Sequence, residues 1–153
     1  MILFCDTSAL VKLYLQEDSS EVMQAAAESA TALAVCRIAW AEMMAALARR
    51  GRENPADSAV IEAVRNRLRN DWDDYVVMEI TQSLVELAGD YADTFALRGY
   101  DSVQLAAARL LHEASGEDLQ FACFDARLNK AAKVLGLLPL RGSPLPEGVG
   151  SEE

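Results

Sequence analysis

This sequence contains almost no histidine and few cysteines, which argues against several kinds of structural site. His112 is the only histidine, and Cys5, Cys36 and Cys123 lie in apolar runs without a Cys-x-x-Cys spacing. Zinc sites use closely spaced His and Cys ligands, and disulfide frameworks usually contain an even number of cysteines. We therefore expect three reduced, buried thiols in a cytoplasmic protein.

The sequence also lacks a long apolar run and a targeting segment. The first apolar run, Met1 to Cys5, is interrupted at Asp6, and no basic segment accompanies it. This pattern does not indicate a signal peptide. No uninterrupted apolar stretch approaches the roughly 20 residues that a membrane-spanning helix needs. We therefore expect no membrane association.

Basic residues are scarce relative to acids, with 14 Lys and Arg against 24 Asp and Glu and a formal net charge of -10. Such a charge opposes non-specific association with nucleic acid. It does not exclude a nucleic-acid substrate, because acids gathered at one site can hold divalent cations that reverse the local potential. Aromatic residues make up only 7% of the chain, so we expect a core of aliphatic residues, Met and Ala.

Strand-like and helix-like segments alternate along the chain, which is typical of an α/β fold with a parallel sheet. The length of 153 residues corresponds to one domain. The opening stretch sets the pattern, because an apolar run ends at Asp6 and apolar residues then follow at helical spacing. Further strands are predicted near 31–35, 75–80, 119–124 and 137–140. We expect a folded domain over 1–141 and a flexible tail over 142–153.

Helices are predicted between these strands, at about 20–29, 37–50, 55–71, 82–98, 102–115 and 126–135. Gly51 is interpreted as the C-cap of the helix 37–50, and Gly99 as the end of the helix 82–98. Thr81 is predicted to cap the latter helix at its start. Asp101 is predicted to be the N-cap of the helix 102–115.

Four acids occupy positions that are informative only as a set. Asp6 and Asp125 follow predicted strands, whereas Glu42 lies inside an apolar helix and Asp101 lies at a helix start. Each has an ordinary explanation as a helix cap or a partly exposed helical acid. In a parallel sheet, however, all four can converge at the carboxyl edge, where they would repel one another and raise each other's pKa. A divalent cation relieves that repulsion, and ligation by oxygen alone favours Mg²⁺ or Mn²⁺.

At this point the sequence resembles the PIN domain, and in particular the VapC-type toxins of toxin–antitoxin modules. The resemblance extends from Met1 to about Arg141. It rests on four stretches that each carry one acid: MILFCDTSALVKLY, AEMMAALAR, LRGYDSVQLAAA and FACFDARLNKAAKVLGL. It implies an α/β three-layer PIN-like fold, with a central parallel sheet of about five strands flanked by helices. It also implies metal-dependent endoribonuclease activity.

The resemblance assigns roles to individual residues. The four acids map onto positions that bind metal and support catalysis: Asp6, Glu42, Asp101 and Asp125. Glu42 could either bind the metal or orient the attacking water. Ser8 maps onto a hydroxyl often found near the first Asp. Cys123 departs from the Thr that many relatives carry there, which puts hydrogen bonding around the site in doubt.

The same resemblance implies partners. The substrate would be RNA, and the expected protein partners are a cognate antitoxin and a second copy of the chain in a homodimer. Arg127 and Lys130 follow Asp125 closely, so they either contact RNA phosphates or form a solvated helix face.

The same residues bear on four other classes of protein. An aspartyl-phosphate phosphatase usually has a second Asp two residues after the first, and here that position is Ser8. A receiver-like module would have a pair of acids after the first strand, and a degenerate PIN module used for binding would have lost at least one of the four. A PIN nuclease of RNA processing that has no antitoxin and a non-catalytic acidic binding module remain alternatives.

Overall fold

A computed structural model describes residues 1–140, which form five parallel strands in one sheet with helices on both faces. The strands are β1 (Ile2–Cys5), β2 (Ala32–Cys36), β3 (Val76–Met78), β4 (Leu119–Ala122) and β5 (Leu138–Pro139). The helices are α1 (Thr7–Tyr14), α2 (Ser20–Ser29), α3 (Ala39–Glu53), α4 (Ser58–Trp72), α5 (Gln82–Phe95), α6 (Gly99–Ser115) and α7 (Ala126–Val134), and a 3-10 turn (Pro55–Asp57) precedes α4. The predicted three-layer α/β fold is confirmed.

Strand β1 lies at the centre of the sheet and is buried along its whole length. Its alternating side chains enter two different cores, as the period of a strand requires. Ile2 and Phe4 pack in the core on the side of α5, α6 and α7. Leu3 and Cys5 pack in the core on the side of α1, α3 and α4. This two-sided burial explains why the first residues form a continuous apolar run.

The strand order β3-β2-β1-β4-β5 creates a switch point between β1 and β4. The chain fills one side of β1 first and then returns to fill the other. The two central strands pair in parallel from Ile2 opposite Leu119 to Cys5 opposite Ala122. The backbone N–H of Asp6 continues this pairing by donating to the carbonyl of Ala122 at 3.1 Å. Ligand crevices in open parallel sheets form at this kind of position, beyond the carboxyl ends of the strands.

The prediction that Gly51 caps a helix was wrong. Helix α3 continues through Gly51 to Glu53, and the backbone of Gly51 is not left-handed. A Cβ built on Gly51 would lie 3.4 Å from Cδ1 of Ile61 in α4. The glycine therefore lies in the interior of α3 at its contact with α4, where an added Cβ would meet Ile61 at an ordinary contact distance.

The predicted boundary near Asp101 was also wrong. Helix α5 ends at Phe95, and Ala96 is left-handed with φ 53°. Helix α6 then begins at Gly99, so Arg98 is its N-cap and Asp101 lies in its first turn. Glycine was read here as a helix end, but it begins the next helix. The Asp101 carboxylate is therefore not a helix cap.

The predictions for Thr81 and for the cysteines are confirmed. Thr81 caps α5, because its Oγ1 accepts from the backbone N–H of Leu84 at 3.1 Å. All three cysteines are free and buried. Among residues 1–140, no helix is long and apolar enough to cross a membrane. The predicted tail, 142–153, lies outside the described residues.

Candidate active site

A cavity of about 300 Å³ opens at the carboxyl edge of the sheet, near the switch point between β1 and β4. All four predicted acids line this cavity. Among the described residues, the lining consists of Asp6, Thr7, Ser8, Glu42, Arg98, Tyr100, Asp101, Gln104, Phe124 and Asp125. Segments far apart in the sequence thus meet at one place, as the parallel sheet predicts.

Asp6 lies deepest among the four acids, with only 7% of its surface exposed. It is the N-cap of α1, because its Oδ1 accepts from the backbone N–H of Ala9 at 2.9 Å and from Oγ of Ser8 at 2.7 Å. Burial raises the pKa of Asp6 to about 6; the two hydrogen bonds oppose this rise, and the charges of Asp101 and Glu42 add to it. Asp6 is therefore both a helix cap and a member of the acid cluster.

Glu42 is held in place by two side chains from other elements. Its Oε1 accepts from Oγ1 of Thr7 at 2.8 Å and from Nε2 of Gln104 at 3.1 Å. Gln104 is only 3% exposed, and its Oε1 has no hydrogen-bond partner among the described residues. The amide therefore places its donor end at the carboxylate, at the cost of a buried acceptor that the protein leaves unpaired.

Asp101 lies between an acid and a base. Partial burial is the main cause of the raised pKa of Asp101. The negative charge of Asp125 raises this pKa further, and the nearby Arg98 lowers it. Among residues 1–140, Arg98 is the only basic residue of the cavity lining. It lies one turn before Asp101 and supplies the single positive charge on this wall of the cavity.

Asp125 is exposed and caps α7, because its Oδ1 accepts from the backbone N–H of Leu128 at 2.9 Å. The neighbouring Cys123 does not bond to this carboxylate. Its thiol lies 3.1 Å from Oδ1 of Asn129, whose amide in turn donates to the Cys123 carbonyl at 3.2 Å. The thiol also donates to the backbone carbonyl of Asp125 at 3.7 Å, so its bonds lie within the segment that joins β4 to α7 and runs into its first turns.

The donor set of the cavity fits a hard divalent cation, because its candidate ligands are carboxylate and hydroxyl oxygens. The hydrogen bonds given above use Oδ1 of Asp6, Oδ1 of Asp125 and Oε1 of Glu42, and no donor among residues 1–140 bonds to the second oxygen of these groups. Within these residues, however, no three His, Cys, Asp or Glu side chains form a ready-made metal site. The mutual repulsion of the four carboxylates favours separation between them, and the positive charge of a bound cation would relieve that repulsion.

Arg127 and Lys130 do not line the acid cavity. The Nη1 of Arg127 donates to the carbonyl of Ala96 at 3.1 Å, which ties α7 to the turn between α5 and α6. Together with Thr94 and Phe95, both basic residues line a second cavity of about 440 Å³. The predicted contact of Arg127 and Lys130 with RNA stays a prediction. Arg127 also makes the hydrogen bond to Ala96, which has a structural role.

Sequence reasoning missed Thr7, Arg98, Tyr100, Gln104 and Phe124 as parts of the cavity. Gln104 could have been found, because it lies three residues after Asp101 and so on the same face of the helix. Thr7, Tyr100 and Phe124 are direct neighbours of the predicted acids. Arg98 was hidden by the wrong helix boundary, which placed it at the end of the preceding helix.

Comparison with known proteins gives the class to which this fold and cavity belong. The family model named PIN domain matches residues 3–134. Ribonuclease VapC45 of Mycobacterium tuberculosis is 32% identical over 140 residues, which cover 88% of this chain and 92% of that protein. Ribonuclease VapC46 of the same species is 29% identical over 136 residues, which cover 88% of this chain and 93% of the relative. The chain therefore belongs to the PIN domain family.

Solved structures agree on the fold. A toxin–antitoxin complex from Klebsiella pneumoniae matches with a TM-score of 0.60 and 20% identity, covering 82% of this chain and 88% of that one. The crystal structure of FitAcB from Neisseria gonorrhoeae matches with a TM-score of 0.61 and 16% identity, covering 92% and 97%. At these identities the likeness supports the fold, and the function has to be argued from the cavity and the sequence relatives.

Proposed function

We propose that this protein is a VapC-type toxin, an endoribonuclease that uses a divalent metal ion to hydrolyse RNA phosphodiester bonds. The observation that carries this proposal is Asp6, a buried carboxylate at the carboxyl edge of the sheet whose pKa is raised by burial and by two other acids. A fold tolerates such a cluster when the charges serve a function. The curated relatives named Ribonuclease VapC support the assignment of that function to RNA cleavage.

The metal would be Mg²⁺ or Mn²⁺, held by Asp6, Asp101 and Asp125, with Glu42 either as a further ligand or as the group that orients water. When bound, such a cation screens the charge of the phosphodiester and lowers the pKa of the attacking water. The protein's own contribution is orientation. Ser8 and the N–H of Ala9 fix one oxygen of Asp6, and Thr7 and Gln104 fix one oxygen of Glu42.

The proposed partners follow from the same cavity. A cognate antitoxin would place a basic side chain, most simply Arg, among the carboxylates and so compete with the metal ion. We propose a homodimer as the working form, located in the cytoplasm, where the three buried thiols stay reduced. A PIN nuclease without an antitoxin would share the chemistry and lack this competition.

The test is RNA cleavage by the purified protein with Mg²⁺ or Mn²⁺ and with EDTA. Asp101→Asn should lower the rate by orders of magnitude, because it removes a charge from the cation-binding wall and keeps the shape of the side chain. Asp93→Asn is the matched control, since Asp93 is exposed on α5 and does not line the cavity. Equal rates for the wild type and Asp101→Asn would show that the activity belongs to a contaminant or to another site.

A further inference from the structure

Tyr100 is an exposed aromatic side chain at the acid cavity. Its side chain is 65% exposed, and it is the one aromatic residue among the large hydrophobic side chains that are exposed in residues 1–140. Other aromatic residues are engaged within the protein. The ring of Trp72 contacts the rings of Trp40 and Tyr75, and the ring of Tyr91 contacts that of Phe95. The ring of Tyr100 has no such ring or cation contact among the described residues.

The backbone under Tyr100 is well fixed. It lies in the first turn of α6, where the N–H of Ser102 donates to the Arg98 carbonyl at 2.9 Å and the Ser102 hydroxyl donates to the Gly99 carbonyl at 2.7 Å. The preceding turn is held by the bond from Arg127 to Ala96. The exposed ring is therefore presented on a rigid element and does not sit on a mobile loop.

The surroundings of Tyr100 suit a nucleotide. Arg98, two residues before it, lines the same cavity and offers a guanidinium for a phosphate group. Asp101, directly after it, belongs to the acid cluster, and consecutive Cα atoms are about 3.8 Å apart. A nucleotide whose phosphate is close to Arg98 and the acids would thus have its base near an aromatic face that nothing in the described protein covers.

Phe124 differs from Tyr100 and helps to define the subsite. It lines the cavity from the β4–α7 loop, but Nζ of Lys12 lies over its ring at 4.7 Å from the centroid. One face of Phe124 is thus occupied by a cation that also pairs with Glu17 at 3.1 Å. Phe124 is part of the cavity wall, and Tyr100 is the aromatic ring left for a ligand.

We propose that Tyr100 forms a nucleobase subsite, on which an unpaired base next to the scissile phosphate stacks. This inference rests on the proposed ribonuclease function and narrows its substrate to RNA that is single-stranded at the cleavage point. Bases inside a duplex are stacked on their neighbours and cannot reach such a ring, whereas splayed bases of loops stack readily on aromatic side chains. Stacking is tolerant of base identity, so Tyr100 selects unpaired structure more than sequence.

The experiment compares Tyr100→Ala, Tyr100→Phe and Tyr100→Trp on an unpaired RNA oligonucleotide and on the same sequence held in a duplex. Removal of a stacking ring should raise KM for the unpaired substrate about 5- to 100-fold and leave kcat within about twofold. The Phe and Trp variants should retain the wild-type KM. Val60→Ala, which truncates another exposed apolar side chain outside the cavity, is the control and should leave KM and kcat unchanged.

A second readout reports stacking directly. In the Asp6→Asn background, which is expected to bind RNA without cutting it, 2-aminopurine placed next to the cleavage point should lose fluorescence on binding. The additional Tyr100→Ala change should abolish that quenching, and Tyr100→Phe should preserve it. Melting curves of each variant confirm that the chain is folded in every measurement.

Several outcomes would overturn the inference while leaving the ribonuclease proposal intact. An unchanged KM for Tyr100→Ala, an equal increase on unpaired and duplex RNA, or a fall in kcat alone would each exclude a base-stacking subsite. Loss of antitoxin binding with unchanged RNA binding would assign the ring to the protein partner instead. By contrast, wild-type protein that does not cleave RNA with Mg²⁺ or Mn²⁺ contradicts the proposed function itself, and the inference about Tyr100 is overturned with it.

Discussion

At the scale of single residues, the main feature is that the Asp6 carboxylate caps a helix and also lines the candidate site. Asp6 directs Oδ1 to the Ser8 hydroxyl and to the N–H of Ala9, which begins α1. An Asp at a helix start is explained by capping, and an Asp at the carboxyl end of a parallel strand lies where ligands bind. The cap is compatible with the proposed role in metal binding, because both capping hydrogen bonds go to Oδ1 of Asp6.

The raised pKa of Asp6 predicts how the metal-free protein responds to pH. The folded-state pKa is about 6 against an ordinary value of 3.8, so the fold favours the protonated acid. Its stabilising contribution is fully present below about pH 4 and is lost as the pH rises through about 6. The loss is on the order of 2–3 kcal/mol in the free energy of unfolding.

Asp6→Asn isolates this effect, because the amide stays neutral and its oxygen can still accept both hydrogen bonds. Relative to the wild type, the variant should become increasingly stable between pH 4 and pH 7 in EDTA, as measured by urea unfolding. Asp93→Asn, an exposed acid on α5, should show no such trend. A stability difference between Asp6→Asn and the wild type that does not depend on pH would mean that the pKa of Asp6 is the same in the folded and the unfolded protein.

At the scale of secondary structure elements, the sequence predicted most of the fold and failed where glycine has more than one use. The alternation of strands and helices follows from hydrophobic period, and β1 is recognisable because both of its faces are buried. Gly51 and Gly99 were read as helix ends. The close contact of Gly51 with Ile61 and the start of α6 at Gly99 depend on tertiary packing, which a local pattern does not contain.

Two glycine substitutions test this difference between helix interior and helix end. Gly51→Ala should stabilise the protein by about 0.5–1 kcal/mol, because alanine is the better helix former and its Cβ would meet Ile61 at an ordinary contact distance of 3.4 Å. Gly136→Ala should destabilise the protein by roughly 1 kcal/mol, because φ is +80° at this position. An added Cβ would meet no described atom within 4 Å, so the cost comes from the left-handed backbone. Urea unfolding of both variants measures whether each substitution raises or lowers the free energy of unfolding. Destabilisation by Gly51→Ala would indicate that α3 and α4 cannot separate by even a few tenths of an ångström.

At the scale of the whole molecule, the candidate site depends on how distant segments meet. The four acids could be listed from the sequence, and their shared cavity follows from the parallel sheet. Their order of burial could not be predicted, because it depends on depth from the surface: Asp6 is buried, Glu42 and Asp101 are intermediate and Asp125 is exposed. The partners of Glu42 come from α1 and α6, and only the assembled fold brings them together.

The net charge of -10 and the acid cavity together predict how an antitoxin would bind. A basic antitoxin segment should associate quickly at low salt, and the association rate should fall as ionic strength rises. Stopped-flow measurements can separate overall charge from insertion into the cavity. Asp101→Asn should slow association more than Asp93→Asn does, although each removes one charge, and Mg²⁺ should compete with binding. Equal effects of the two variants, together with no effect of Mg²⁺, would place the antitoxin elsewhere on the surface.

In the proposed site, the carboxylates of Asp6 and Asp125 use one oxygen for a helix cap and leave the other for the metal ion, which has a consequence for how this protein can be inactivated. Each caps a helix through Oδ1, and an asparagine can make the same bond without the charge. Genetic loss of activity through Asn at these positions therefore need not expose the cores or send the chain to proteases. A harmless copy could persist in the cell at a normal level and could still occupy antitoxin molecules that an active copy would otherwise meet.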